Sequence, residues 1–378
     1  MDRYDVIIVG GGVIGSSVAF QLSKRGRKVL LLDQGPLGKK ASSAAAGMLG
    51  AHTELNVDSP LYSFALSSKQ LFSDLAVELK GLSGIDIEYV DKGMYKVATT
   101  EEEALTYQKL ALEPAYQQQQ IKWLDGNEVR KCEPALSTFI KGAMWIPKDG
   151  HVSAPALSIA LASAAASFGA DIKEYTQTAS FIVEKGEAVG VMTNTGPVRS
   201  LHIIVTSGAW SERLLKESGL QLDTYPVKGE CFSVKTHQPL IKGTIFSEGC
   251  YLVPKKGGRL IIGATEQPHS FSEQVSVQGI SSLLERTKKI LPSIEQAHWE
   301  KTWAGIRPQT QDGLPFIGEH PQIKNLLVAT GHYRNGILLA PATGLLVADL
   351  VDKKTVRPEW KEAFRLDRNH VYARSAFS

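Results

Sequence analysis

Cysteine is scarce: Cys132, Cys231 and Cys250 are the three in 378 residues, far apart and without the close pairing that structural zinc or a disulfide framework needs. The expectation is a cytoplasmic protein with reduced thiols and no bound metal. Charge of one sign is lacking as well. The 42 Lys and Arg and 39 Asp and Glu are interspersed, and a net charge of +3 leaves no basic stripe of the kind nucleic acids require. Long hydrophobic runs are missing: none reaches the roughly 18 residues that span a bilayer. An apolar strand starting at Tyr4 leaves no room ahead of it for a secretory leader. No repeat of roughly 20 to 50 residues appears, and no Ser/His/Asp or Cys/His set suggests a nucleophile. His52, His151 and His332 read as structural or solvent-exposed residues rather than bases. These exclusions leave an ordinary globular composition, 43% apolar and 21% charged, in a chain long enough for two domains.

The most informative stretch is residues 4–33. Tyr4-Asp5-Val6-Ile7-Ile8-Val9 reads as a buried strand, Gly10-Gly11-Gly12-Val13-Ile14-Gly15 as a glycine turn, residues 16–25 as a helix, and Lys28-Val29-Leu30-Leu31-Leu32-Asp33 as a second strand ending in an acid. Gly10 permits the tight turn, Gly12 lets backbone N–H groups approach a pyrophosphate, and Gly15 lets the helix pack closely on the strand. The helix aims its positive end at the phosphates. Asp33, 18 residues beyond Gly15, is placed to accept hydrogen bonds from the ribose hydroxyls of an adenosine. The fingerprint predicts a dinucleotide cofactor and does not separate FAD from NAD.

Further along, residues 41–50 are small and uncharged. They suit either a backbone lying close to a flat cofactor ring or a small-residue helix packed in the core. Residues 60–80 have the period of an amphipathic helix closed by Gly81 and Gly84, residues 85–98 alternate as a strand, and residues 101–131 are polar and helix-prone. An alanine-rich helix ends near Phe168 with Gly169 as its cap, and residues 170–175 return as a strand. Hairpin turns are expected at Lys185-Gly186 and at residues 194–196, and the strand 201–206 delivers Ser207-Gly208-Ala209-Trp210 as a second cofactor-facing loop. Residues 226–262 alternate like a curved antiparallel sheet, and residues 278–290 are helical. At the end, Leu326-Leu327-Val328-Ala329-Thr330 forms a strand, residues 331–336 a loop, and residues 337–351 a helix with Pro341 in its first turn or so. That helix is either the ordinary last helix of the sheet or a positive end worth roughly 0.3 to 2 kcal/mol to a ring that becomes anionic, such as reduced flavin.

Residues 10–15, 43–50, 205–211, 312–318 and 331–338, in this order, resemble the D-amino-acid oxidase/sarcosine oxidase superfamily of FAD-dependent oxidoreductases. Residues 43–52, 226–231 and 336–344 are similar to those of the bacterial glycine oxidases that serve thiamine biosynthesis, and the resemblance covers essentially the whole chain. It implies an α/β fold, α+β overall. A discontinuous Rossmann-like FAD domain takes residues 1–88, 150–225 and 300–378, and an antiparallel-sheet substrate domain takes residues 89–149 and 226–299. It places Val13 and Ile14 at the pyrophosphate and Asp33 and Gln34 at the ribose. Ala41 and Ser42 come near the phosphates, with Ala46, Gly47 and Met48 at the isoalloxazine and Thr178 at the adenine. His332, Tyr333, Arg334, Asn335, Gly336, Ile337 and Leu338 line the pyrimidine end. Residues 303–313 lack the cysteine to which monomeric sarcosine oxidases attach FAD, so non-covalent FAD is implied.

For the substrate, the resemblance assigns Arg307 to the carboxylate, Tyr251 to the same group, and Arg334 to the mouth, with Met48 and Glu266 in the pocket. Taken alone, Arg307 is either a carboxylate clamp or half of a structural ion pair. Glu266 stands where the related oxidases carry methionine, which leaves the preference among glycine, sarcosine and small D-amino acids open. The implied reaction is hydride transfer from the amine Cα to flavin N5, with O2 reduced to H2O2 and the imine hydrolysed to glyoxylate and ammonia, or handed to thiazole synthase. Positioning supplies this step without an acid or base. A homotetramer is implied as well. Two other readings are a small D-amino-acid dehydrogenase passing electrons to a quinone and an RNA-modifying flavoprotein that removes a carboxymethyl group. The first lacks a membrane-facing basic amphipathic segment. The second lacks basic residues interleaved with aromatics.

Overall fold

Five strands lie parallel in the order Leu326–Thr330, Gly196–Val205, Tyr4–Val9, Val29–Leu32 and Asp171–Lys173, in a computed structural model that describes residues 3–368. Their inner stretches, residues 326–329, 203–205, 6–9 and 29–32, are continuously apolar because both faces are covered, whereas the edge strand Asp171–Lys173 is exposed at both ends. Val6, Ile8, Leu31 and Ile204 point into one core, against the helices Val13–Lys24, Ala154–Ser167 and Gly336–Val351; Ile7, Val9, Leu30 and Val205 point into another. The hairpin Thr178–Glu184 and Glu187–Thr193 pairs with the outer half of Gly196–Val205 and turns at Lys185 and Gly186, both at positive φ, as hairpin turns require. The first helix starts at Val13, three residues earlier than expected, because Gly12 is extended and serves as its cap position.

The helix Gly336–Val351 carries Pro341 at its sixth position, beyond the first turn where a missing N–H goes unnoticed. Ser68 braces the next step of the helix. Its hydroxyl donates to the Leu338 carbonyl at 2.6 Å and accepts the Ala342 N–H at 3.1 Å, bridging the pair one residue beyond the Ile337 carbonyl that Pro341 leaves without an N–H. Together with its preceding turn this segment, Tyr333–Val351, has the length and apolarity to cross a membrane, which corrects the expectation that no run does so. It is 72% buried inside the protein, so its apolarity belongs to the core.

Elsewhere the periodicity misleads. The expected helix 60–80 is two helices, Pro60–Gln70 and Phe72–Ser83, turning at Leu71 so that Phe64 and Phe72 reach the same core. Gly81 lies inside the second, and Gly84 alone caps it, left-handed at φ 72°. Only Met94–Ala98 of residues 85–98 is a strand, because the Asp86 carboxylate accepts the Glu88 N–H at 2.8 Å and bends the chain locally. Residues 101–131 contain a strand, Lys122–Asp125, between the capped helices Glu101–Leu112 and Gly126–Cys132.

The second sheet runs Gln267–Pro268, Thr224–Lys235, Arg259–Gly263, Cys250–Lys255, Thr244–Ser247, Met94–Ala98, Gly142–Ile146, Lys122–Asp125. It is antiparallel except where Thr244–Ser247 joins Met94–Ala98. The strand His298–Thr310 pairs with Thr224–Lys235 along its length, so a boundary at residue 300 falls inside an element of this sheet.

Ser68→Ala is expected to lower stability by roughly 1–3 kcal/mol, since it leaves a buried carbonyl and a buried N–H unpaired. Ser67→Ala, next door on the surface, is expected to stay within about 0.5 kcal/mol. Urea unfolding of both variants checks this, and equal losses would remove Ser68 from its bridging role.

Candidate functional site

The parallel strands end along one edge and open on a cavity of about 440 Å³. Gly10, at φ 112°, lines it, with Gly15 packed beneath, and both act by what they lack: a Cβ on Gly15 would overlap the Gly10 carbonyl, and one on Gly10 would stand 2.6 Å from the Thr206 carbonyl. Gly12 carries bare backbone to the cavity wall at the N-terminus of Val13–Lys24, where the cap residue itself has no side chain and the Val13 N–H donates to Ser42 Oγ at 2.9 Å. Asp33 accepts the N–H groups of Gly11 at 2.7 Å and Gly35 at 2.9 Å. Burial pushes its carboxyl upward against those two bonds. Gln34 and residues 176–179 wall the same end.

Residues 41–48 resolve the choice left by composition. Ala41–Ala44 is a four-residue helix, and the chain then runs extended along the cavity through Ala46, Gly47 and Met48. Gly47, at φ 85°, packs so tightly against Val152 that a Cβ would overlap its carbonyl, and the Val152 N–H donates to Gly47 at 2.8 Å. The Trp303 indole holds the Ala44 carbonyl at 2.9 Å.

The second sheet supplies the far wall: Gly229, Cys231, Tyr251, Gly305, Ile306, Arg307 and Pro308. Arg307 lies across Gly229, where any Cβ would overlap its guanidinium. Among the described residues its one hydrogen bond is a long one, 3.4 Å to the Thr265 carbonyl, and no carboxylate pairs with it. The structural ion pair is elsewhere. Lys228 and Glu230, both buried, pair at 2.7 Å, and Glu230 also accepts the Ser276 N–H at 2.7 Å. Burial opposes the charge on Glu230, yet the Lys228 ammonium and the Ser276 bonds hold its carboxyl below the ordinary value.

Tyr251 OH lies 3.5 Å from Cys231 Sγ, and burial raises both groups, the phenol by a large margin. His332 lines the cavity, pairs with Thr343 Oγ1 at 3.1 Å, and is pushed by burial down to about 3. His52 and His151 lie off the wall, bonded to Tyr62 OH at 2.7 Å and Thr244 Oγ1 at 3.2 Å, as structural histidines. Arg334 donates to Glu54 at 2.8 Å and to Glu266.

Of the residues singled out from the sequence, Gly15, Glu266, Asn335 and Leu338 are not on the cavity wall; Gly15 packs beneath the turn and Glu266 reaches the site only through Arg334. Glu54, Gly229 and Cys231 are on the wall and were not singled out. Residues 229 and 231 sit in a stretch similar to the oxidases, which was the available signal. Glu54 had none, since its place depends on Asp149, whose carboxylate accepts the N–H groups of His52 and Thr53 and fixes the short helix Ala51–Glu54.

A family model described as FAD dependent oxidoreductase matches residues 5–350. The glycine oxidase of Geobacillus kaustophilus is 50% identical over 361 residues, 93% of this chain and 94% of that one. The crystal structure of the glycine oxidase from that organism superposes with a TM-score of 0.92 at 48% identity, covering 98% of this chain and all of the other. The bifunctional protein ThiO/ThiG of a Nostoc species is 32% identical over 361 residues, 94% of this chain and 53% of its own length. FAD is the cofactor, and the cradle fits it: a helix N-terminus whose cap position is bare glycine backbone for the pyrophosphate, and Asp33 at the far end of one continuous cavity. Gly15→Ala forces the helix off its turn, so FAD affinity is expected to fall at least about tenfold while the far sheet stays folded. Flavin absorbance per chain and an FAD titration measure this. With fold, cradle and likeness in agreement, the chain belongs to the FAD dependent oxidoreductase family, in the group that holds the glycine oxidases.

Proposed function

We propose that this protein oxidises glycine, and with it sarcosine and small D-amino acids, using non-covalent FAD and O2, to an imine that water converts to glyoxylate and ammonia, with H2O2 as the other product. The observation that carries the reading is Arg307: a guanidinium on the cavity wall with no carboxylate partner among the described residues. A planar fork of that kind holds a substrate carboxylate by two parallel hydrogen bonds. Gly229 keeps the guanidinium flat against the wall, and Tyr251, forced by burial to stay protonated, donates its hydroxyl to the same carboxylate. Bound FAD supplies two-electron oxidation of the amine carbon and return of those electrons to oxygen. The chain itself contributes orientation. Arg307 and Tyr251 fix one end of the substrate, and Met48 and the backbone of residues 44–47 bound the space above.

In the cradle, Gly10, Gly12, Val13 and Ile14 with Ala41 and Ser42 take the pyrophosphate, and Asp33 and Gln34 take the ribose. Thr178 meets the adenine, and His332, Tyr333, Gly336 and Ile337 meet the pyrimidine end. The ThiO/ThiG relatives, in which the matched segment is about half of a longer chain, support hand-over of the imine to a thiazole synthase. Two discontinuous units, a homotetramer and a cytoplasmic location belong to the same reading, and light scattering of the purified protein tests the assembly.

Glycine, sarcosine and D-alanine are expected to bleach the flavin without air, and readmitted air to restore it with one peroxide per turnover. Persistent bleaching in air would replace the oxidase by a dehydrogenase. Arg307→Ala is expected to raise KM by roughly 100-fold or more, and Arg307→Lys to recover little of it, because an ammonium lacks the fork. Steady-state kinetics on both variants decide the point.

A further inference from the structure

Arg307 and Arg334, both on the cavity wall, are in opposite electrostatic states. Among the described residues Arg307 meets no carboxylate, whereas Arg334 meets two: its Nε donates to Glu54 at 2.8 Å and its Nη1 to Glu266. The two sites are one residue apart along the chain, since Arg307 donates to the carbonyl of Thr265 and the next residue, Glu266, takes Arg334. Glu54 is the buried jaw, with 9% of its side chain exposed, and Glu266 the outer one, with 46%. The Phe246 ring lies 5.8 Å from the guanidinium and closes its remaining side. Glu54 sits on the helix that Asp149 fixes, and Glu266 lies close enough to Tyr333 to raise the phenol.

A guanidinium bracketed by two carboxylates is an anionic unit of net charge about −1. A second carboxylate on a ligand whose first carboxylate is on Arg307 gains no free cation there and meets repulsion in a partly dry site, where like charges are weakly screened. We propose that Glu266, acting with Glu54 on Arg334, is a specificity determinant that restricts the pocket to amines carrying one carboxylate and refuses dicarboxylates. The inference rests on the reading of Arg307 as the substrate clamp. Without Glu266, Arg334 and Glu54 form a neutral pair with the Nη1 end free, and the mouth accepts a second carboxylate.

The test uses the FAD-loaded enzyme and two non-oxidisable probes, acetate and malonate, titrated at neutral pH and low salt while the flavin absorbance is followed. Wild type is expected to bind acetate at least about tenfold more tightly than malonate. Glu266→Gln is expected to shift that ratio toward malonate by about tenfold or more, and Glu266→Met to do the same. Retention of FAD by each variant certifies its fold, and the half-exposed position of Glu266 makes loss of folding a minor concern. Comparable acetate and malonate affinities in wild type, or a ratio unmoved in both variants, overturns the filter while leaving Arg307 as the clamp. A flavin spectrum indifferent to acetate in wild type overturns the clamp, and the filter with it.

Discussion

The carbonyl oxygen of Gly10 accepts the Thr206 hydroxyl at 2.7 Å and stands where a side chain on Gly15 would have to be. That crossing sets the position of everything around it. It brings the helix Val13–Lys24 down onto the strand Tyr4–Val9 with its N-terminus turned outward, and the loop after Gly196–Val205 is tied over the turn by a second bond, from the Thr206 N–H to the Val9 carbonyl at 2.8 Å. Because the neighbouring strands are parallel, the chain leaves each of them at the same edge, and the loops after Leu32, Lys173, Val205 and Thr330 converge there. Glycine at both positions weakens local order, so the arrangement persists only because burial around Val6 to Ile8 over-determines it.

The second sheet serves the site differently. Its longest pairing, Thr224–Lys235 with His298–Thr310, brings Gly229 opposite Gly305 and places Arg307 two residues on, across from Val227. Small residues on one strand thus make room for a large cation on the next. Behind them the buried Lys228–Glu230 pair contributes little net stability, since desolvation offsets most of its attraction. Its geometric effect is firmer. Glu230 binds Ser276 at the start of the helix Val277–Ile290 and Thr265 beside Arg307, so the wall carrying the guanidinium is fixed from behind.

What could be read in advance follows the range of the forces involved. The glycine turn, the hairpin at Lys185-Gly186 and the loop at Ser207, which lines the cavity, are dictated within a few residues by sterics, and they stand where the sequence placed them. Residues 85–98 failed because alternation was read without the Asp86 turn that competes with it. The break at Leu71 and the place of Pro341 were hidden for another reason: each is settled by a partner far along the chain, Ser68 lying 270 residues from Leu338. The same holds for the site. Arg307 was visible as an arginine among small residues, but that it lacks a carboxylate while Arg334 has two depends on Glu54 and Glu266, some 200 residues apart in sequence.

The titratable groups on the wall argue for a particular kind of chemistry. His332 is held neutral by burial, with its protonation pushed down to about 3; Tyr251 and Cys231 are held protonated by burial, pushed upward. None of the three changes charge near neutral pH, so none is poised to exchange a proton with a substrate there. A wall of such groups presents constant dipoles instead. In the proposed reaction the amine must be neutral before its carbon is oxidised, and none of these three groups takes that proton. What Arg307 and Tyr251 bring to the proposed reaction is geometry: one guanidinium and one phenol on the wall of a bounded space, which orient the substrate.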